Sequence, residues 1–522
     1  MAVEPQITQD LVTSPIFRFR GQRSRWRYPH PRLEPEVCVK VSNINFSEFG
    51  TTDRRRGYEK YSTSQLASSE PVVGLHQQKF LTPDATYEII NTPDKIYADA
   101  AGASRKDITG SISLTGGGND FVRSVFILDT VVQTNGIDAP WKWLGDYATP
   151  TNAAALTSAS TLERCKDLVV NENLLVALYT RESSTWYPTR IRWSDIDTNT
   201  FQPDISNWPT DNRYEIDEGT EEIVGGIDNF GRVLIFKRNG VYPGYFQFTQ
   251  GYITFHQEEP KLGFRPVARH SIVKRPDFVW CVADDGCYVI DESLKVQKVT
   301  DDVQNEWEGL NKSRLKYAVS TVRVKDHQVR TLLSSADNSA GHDLILIWDW
   351  ETGDIGFDRP SDVMNYMVNR YDTNNNELDW MGSALSGYLY DGNGSNVTTD
   401  DAANYSWEII TAANDFQAPN RVKVIKNVTI WYKATGGSPT ATLEVVRDQG
   451  VRSTRTKTLT LGGGTVYNAG NAYNSGLKWP GGSNRKARFF VNRSAENLSV
   501  RLYGDGDANL HGYSVEYLPA EG

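Results

Sequence analysis

Cysteine, methionine and histidine are scarce in this 522-residue chain, at four, four and seven residues, and no long apolar run occurs in it. Each shortage excludes something. The four cysteines, Cys38, Cys165, Cys281 and Cys287, are too few and too scattered for a disulfide-stapled scaffold, and they suit synthesis in a reducing compartment. Cys281 and Cys287 flank a turn at Asp285 and Gly286. A two-residue loop there would pair Val282 with Val289 and set the two thiols on opposite faces of a hairpin, so no bridge between them is expected. No segment approaches the roughly 18 apolar residues of a membrane span. The start, MAVEPQITQD, lacks the basic-then-apolar order of a signal peptide, so a soluble chain without an export address is expected.

Chemistry-bearing motifs are equally sparse. His30, His76, His256, His270, His327, His342 and His511 show neither HxH nor HExxH spacing, so no metal centre is expected, and no cofactor. Asp372, Asn374 and Asn376 begin like a calcium loop, but Glu377 replaces the required glycine and Ser383 stands where the bidentate glutamate belongs, which leaves a polar turn. The runs Gly116 to Gly118 and Gly462 to Gly464 lack the following Lys and Ser or Thr of a phosphate-cradling loop. No GxSxG elbow and no sialidase-type SxDxGxxW box occurs. The WDW at Trp348 to Trp350 is single, which argues for core aromatics and against a WD40 scaffold.

What the chain does have is a hairpin pattern that returns roughly every 45 residues between about residues 70 and 395, with 14 Trp, 25 Tyr and 19 Phe to fill sheet interfaces. Residues 223–245, 271–290 and 364–390 are clear copies, each an alternating or β-branched run that breaks at a Gly, Asn or Asp turn and resumes. That period predicts an all-β chain built on a β-propeller. Candidate blades are 70–105, 110–148, 165–200, 222–258, 268–298 and 318–395, six in number, or seven if the last stretch holds two. Residues 36–44 (EVCVKVSNI) alternate and are assigned to ring closure, since an open ring would leave bare edges. A helix is expected over residues 302–318, with Val303, Trp307 and Leu310 on one face.

The polar stretch 391–404 reads as a boundary. Beyond it, short strands joined by Gly-rich turns predict a β-sandwich. The expected domains are therefore a basic arm over 1–35, a propeller over 36–400 and a sandwich over 405–522. The chain carries 55 Lys and Arg against 65 Asp and Glu, yet Arg18, Arg20, Arg23, Arg25, Arg27 and Arg32 occur with no acidic residue between the first and the last. They predict a docking strand for an acidic partner or for nucleic acid phosphate; the alternative is a solvated arm. Arg54, Arg55 and Arg56, before Gly57, read as a solvated loop.

NGIDAPWKW (135–143), RIRWSDIDTNTFQP (190–203), IVGGIDNFGRVLIFKRNGVY (223–242), VWCVADDGCYVID (279–291) and the closing residues 491–519 stand in an order that resembles the β-propeller tail hub, nozzle or packaged-DNA stabilisation proteins of short-tailed bacteriophages. The resemblance spans most of the chain. It implies a non-enzymatic virion protein of the phage tail, made in the bacterial host cytoplasm and assembled as a ring, commonly a hexamer. It also implies portal, adaptor and other tail proteins as partners, genomic double-stranded DNA passing through the channel, and no stable membrane association. An acidic body suits a duct, because each phosphate held by Lys or Arg would add affinity and stall ejection. The other readings are a receptor- or glycan-binding propeller and a propeller glycoside hydrolase, the latter needing two carboxylates about 5 to 10 Å apart.

Overall fold

The computed structural model describes residues 11–519 apart from 24–33, 47–51, 63, 67–68, 101–104, 148–151, 157–161, 198–201, 218, 250–251, 259–260, 393–398, 417–420, 434–439, 448–450, 461–483 and 506–507. Within them lie seven four-stranded antiparallel sheets. Blades 1 to 6 begin with the strands Gly74–Phe80, Arg123–Ile127, Arg164–Asn171, Ile223–Asn229, Val273–Arg275 and Val319–Arg323. Blade 7 runs Met364–Tyr371, Glu377–Ser383, Leu389–Gly392 and, from the other end of the domain, Tyr58–Lys60. Each first strand touches the first strand of the next blade, and that of blade 7 touches that of blade 1, so the ring closes. The chain is an all-β protein with a β-propeller.

The stretch 318–395 therefore holds two blades and the count is seven, the second of the two alternatives. Its middle strands explain why it read as one unit. Gln328–Leu333 and Glu377–Ser383 are buried along their whole length, because each lies between two neighbouring sheets. Burial on both faces removes the alternation that marks a strand with one wet side. Trp280 stacks on Trp348 at 5.3 Å, which puts the WDW motif in the core between blades 5 and 6. Each large side chain so buried contributes about 1.5–3 kcal/mol.

Ring closure falls to a different strand from the one expected. Val37–Ser42 does form, but it pairs with Trp407–Thr411 in the C-terminal sandwich. Tyr58–Lys60 closes the ring instead, opposite Leu389–Gly392. The sandwich has two six-stranded sheets. One contains Ile44–Phe46, Thr52–Arg54, Asn509–Pro519, Lys423–Lys433 and Asn484–Ala495, in that order, and Val12–Thr13 pairs with its Asn509–Pro519 strand. The other contains Arg20–Gln22, Val37–Ser42, Trp407–Thr411, Leu498–Gly504, Thr440–Arg447 and Val451–Thr460. Val41, Trp407, Ile409, Val428, Ile430, Leu443, Val500 and Leu502 fill the space between them. Both ends of the chain thus build one domain, and the propeller is inserted into it.

The expected helix is broken into a turn at Thr300–Val303, one turn of α-helix at Gln304–Glu308 and a 3-10 segment at Lys312–Tyr317. Val303, Trp307 and Leu310 are buried as their spacing requires. The helix stops because Gly309 follows it and the backbone of Leu310 bridges to Ser335. All four cysteines are unbridged and buried. Cys281 and Cys287 do lie in separate core clusters, but the register is Val282 opposite Cys287, with Asp284 and Asp285 at the turn.

Candidate functional site

The innermost strands begin at one end of the propeller axis, and residues from successive blades meet there. Asp167, from blade 3, accepts a hydrogen bond from the Gly226 amide of blade 4 at 3.0 Å and faces Arg123 of blade 2 at 3.5 Å. Arg269, just ahead of blade 5, donates to the Phe121 carbonyl at 2.5 Å and to His270 Nε2 at 3.0 Å. His270 Nδ1 lies 2.9 Å from the Tyr366 hydroxyl of blade 7, which itself donates to the Val122 carbonyl. Phe121 packs edge-on against His270, Tyr317 and Tyr366. A Cβ at Gly225 would stand 2.8 Å from Asp167 Oδ2, so the glycine is what lets the carboxylate reach the axis.

Burial sets the charge states of this hub. It holds His270 well below its ordinary value, with Arg269 and Arg123 adding to the effect, so the imidazole is neutral. Burial also raises the Asp167 carboxyl, while Arg123 and Arg269 oppose the rise. Arg269 is lowered by burial, with Asp167 acting against that. The hub is thus a polar plug with two guanidiniums around one buried carboxylate, and it fills this end of the axis with side chains. Its residues carry no local sequence signal, since they come from the starts of different blades.

Of the six arginines of the arm, Arg18, Arg20 and Arg23 are described, and these three do not share a partner. Arg25, Arg27 and Arg32 lie outside the described residues. Arg18 is exposed. Arg20 lies 3.7 Å from Glu34, and Arg23 lies 3.5 Å from Asp302, all four side chains being well exposed. Such pairs contribute little. The segment around them is built into the sandwich: Phe17 bridges to Tyr513, Phe19 stacks on Tyr513 at 5.8 Å, and the Gln22 side chain accepts from the Val41 amide at 2.8 Å.

The arginines read as a solvated loop have the opposite character. Arg54 and Arg55 are 8% and 6% exposed, and both lie against the Tyr405 ring, at 3.9 and 3.7 Å. Arg55 donates to Asp400 Oδ1 at 2.8 Å and Oδ2 at 2.5 Å, to Asn43 Oδ1 at 2.8 Å and to the Arg359 carbonyl at 3.0 Å. This clamp ties blade 7 and the sandwich together; of the triplet only Arg56 is exposed. The calcium-like Asp372 caps its own turn, accepting from the Asn374 and Asn376 amides at 2.8 and 2.7 Å.

No family model matches the chain, and no curated protein matches it. Solved structures that resemble it include two crystal structures of BBS1N in complex with ARL6DN, one soaked with mercury and one with lead. Both superpose with a TM-score of 0.40, at 9% and 8% identity, over 66% of this chain and 99% and 98% of theirs. A superposition at that score adds nothing to what the sheets establish.

Proposed function

We propose that this chain is a structural protein of a short-tailed phage tail, a hub or nozzle subunit. It assembles as a ring that extends the portal and adaptor channel and helps to retain and release the genome. The observation that carries the reading is the order of the five segments that resemble that family. They fall in blades 2 to 5 and in the last strands of the sandwich. The filled axial hub supports it in a specific way: a duct for DNA has to lie between copies, not through the middle of one propeller. Charge supports it too. Residues 58–404, essentially the propeller, hold 31 Lys and Arg against 50 Asp and Glu, a surface that repels phosphate.

The experiment is incorporation. Full-length protein supplied to particles that lack it should enter the tail in several copies per particle, and those particles should retain DNA. A chain that stays out of particles and turns over a polysaccharide overturns the reading in favour of a hydrolase. Replacing Arg18, Arg20, Arg23, Arg25 and Arg27 with Ser tests docking by the arm. Loss of incorporation with an unchanged melting curve is expected, and normal incorporation removes the arm from the interface.

A further inference from the structure

The two domains carry opposite charge. The chain ends that build the sandwich, residues 1–57 and 405–522, hold 24 Lys and Arg against 15 Asp and Glu, while the propeller between them is acidic as counted above. The extremes of each sign sit in particular elements. Residues 421–433 and 484–495 contain eight Lys and Arg and no acidic residue. They form the neighbouring strands Lys423–Lys433 and Asn484–Ala495, and the latter is the sheet edge farthest from Ile44–Phe46. Ile44–Phe46 is the strand of this sheet that rests on blade 6, so the basic edge points away from the propeller. Lys486, Arg488 and Arg493 are exposed there around Phe490, itself 70% exposed, and Val422, 43% exposed, with Arg488 paired to Glu516 of the same sheet.

The acidic extreme lies in blade 3. Between Asp195 and Glu222 the chain has nine acidic residues and one base, Arg213. This stretch includes an extra two-stranded sheet, Asp195–Ile196 with Pro203–Asp204, inserted before the blade's last strand Arg213–Glu215. Asp197, Asp204, Asp211, Asp217 and Glu221 are exposed. An apolar centre accompanies them. The outer hairpin of blade 4 packs on blade 3 through Phe255 against Tyr214 and Phe246 against Trp193, and Phe248, two residues beyond Phe246 on the same side of its strand, is 45% exposed.

The two surfaces are also at opposite ends of the molecule. The sandwich rests on the outer strand of blade 6, Ile355–Asp358, and joins blade 7 through the Arg55 clamp. Blade 3 is three steps from blade 6 in one direction and three from blade 7 in the other, the greatest separation a seven-bladed ring allows. One chain with a basic, aromatic-centred edge at one end and an acidic, aromatic-centred rim at the other is complementary to a copy of itself placed head to tail. Such a heterologous contact generates a ring when its rotation closes.

We infer that the rim of blade 3 in one copy docks on the Asn484–Ala495 edge of the next, and that this contact builds the ring; the inference rests on the ring assembly proposed above and names its two surfaces. The test is the mass of the purified full-length chain at about 50 mM and about 500 mM salt, where screening shortens from well over 10 Å to a few ångströms. Association should weaken by at least about tenfold at the higher salt. Two charge-reversed variants follow, one with Asp204→Lys, Asp211→Lys and Glu221→Lys, the other with Lys486→Glu, Arg488→Glu and Arg493→Glu. Each alone should lose association at least about tenfold, and an equimolar mixture should regain it, since every contact in an alternating ring again pairs opposite signs.

Regain on mixing also shows that both variants are folded. If neither reversal changes the mass of a ring, the two surfaces are wrong while the ring stands. If either variant stays dissociated in the mixture despite a parental melting curve, or if the parent is monomeric at both salts, the inference is overturned. The tail reading is then judged by particle incorporation alone.

Discussion

Replacing Arg55 with Met should be among the most costly single changes in the protein, although the sequence places it in a run of arginines. The substitution keeps the apolar stem that lies on Tyr405 and removes the guanidinium. Asp400, whose side chain is wholly buried, then loses both of its guanidinium bonds and, among the described residues, keeps the Ser361 amide at 3.1 Å and hydroxyl at 2.9 Å. Breaking a buried pair from one side costs about 3–5 kcal/mol, because the remaining charge is left uncompensated. For a unit the size of the sandwich, each kcal/mol lowers Tm by about 2–4 °C, which gives a fall of about 6–20 °C. Differential scanning calorimetry of the full chain would read it. The double variant Arg55→Met with Asp400→Leu should recover most of the loss, since neither charge is then stranded. A single variant that costs under about 1 kcal/mol, or a double variant as unstable as the single, would refute the argument from a stranded carboxylate.

Acidification should destabilise the protein. Burial lowers His76 to about 4 and His342 to about 3, so between about 6.5 and 4 the unfolded chain binds protons that the native state refuses, and stability falls with pH. Asp358, raised by burial to about 6, acts in the reverse sense between about 6 and 4, because there the native state holds the extra proton. His270, lowered by burial in the same sense, adds to the two histidines, so the urea midpoint should be lower at pH 5 than at pH 7, and Asp358→Asn should steepen the fall; a flat profile contradicts the burial of these imidazoles. Asp167→Leu should cost about 3 kcal/mol by leaving Arg123 and Arg269 around an apolar side chain, and an unchanged melting curve would mean the hub is not held by that carboxylate. Gly57→Ala would put a Cβ 1.9 Å from the Thr399 carbonyl oxygen, a clash of backbone with backbone that no rotamer relieves. Its expected cost is about 3 kcal/mol in chemical unfolding, and a neutral result would displace the junction from where it is drawn.

The parts of this fold that were legible in the sequence are those whose information is local. Hairpins such as residues 278–291 announce themselves by two β-rich runs and an Asp-Asp-Gly turn, and the boundary near residue 400 by its composition. What was illegible is partner choice. Val37–Ser42 alternates as a strand should, but alternation says that one face is buried, not against which sheet, and the nearest strand in space comes from residues 407–411. The true closing strand is Tyr-Glu-Lys, too short to carry any period. Arg54 and Arg55 look solvated because arginine usually is, and only Tyr405 and Asp400, some 350 positions away in the chain, make them core residues. The axial hub was invisible for the same reason, as its side chains come singly or in pairs from blades 2, 3, 5 and 7.

The place where the chain enters and leaves the propeller explains why that distant clamp matters. Ring closure by Tyr58–Lys60 rests on only three facing residue pairs, a short seam for a seven-bladed ring. Side chains extend it: the Tyr58 hydroxyl accepts from the Asp362 amide at 2.7 Å, Tyr58 packs edge-on against Tyr390 at 4.9 Å, and Lys60 pairs with Asp401 at 2.9 Å. Arg55 sits three residues before that seam and Asp400 eight residues after the last strand of blade 7, so their bond joins the two chain segments that would have to separate for the ring to open. Both segments then run on into the same sandwich, whose sheets interleave strands from the two ends of the chain. Opening the propeller therefore requires breaking the seam, the clamp and the sandwich together. Loss of the clamp alone should expose the seam first, and hydrogen exchange at residues 58–60 and 389–392 should quicken in Arg55→Met before any other blade does. Faster exchange in blades 2 to 4 ahead of that seam would show that the ring yields elsewhere, and that the junction does not hold it shut.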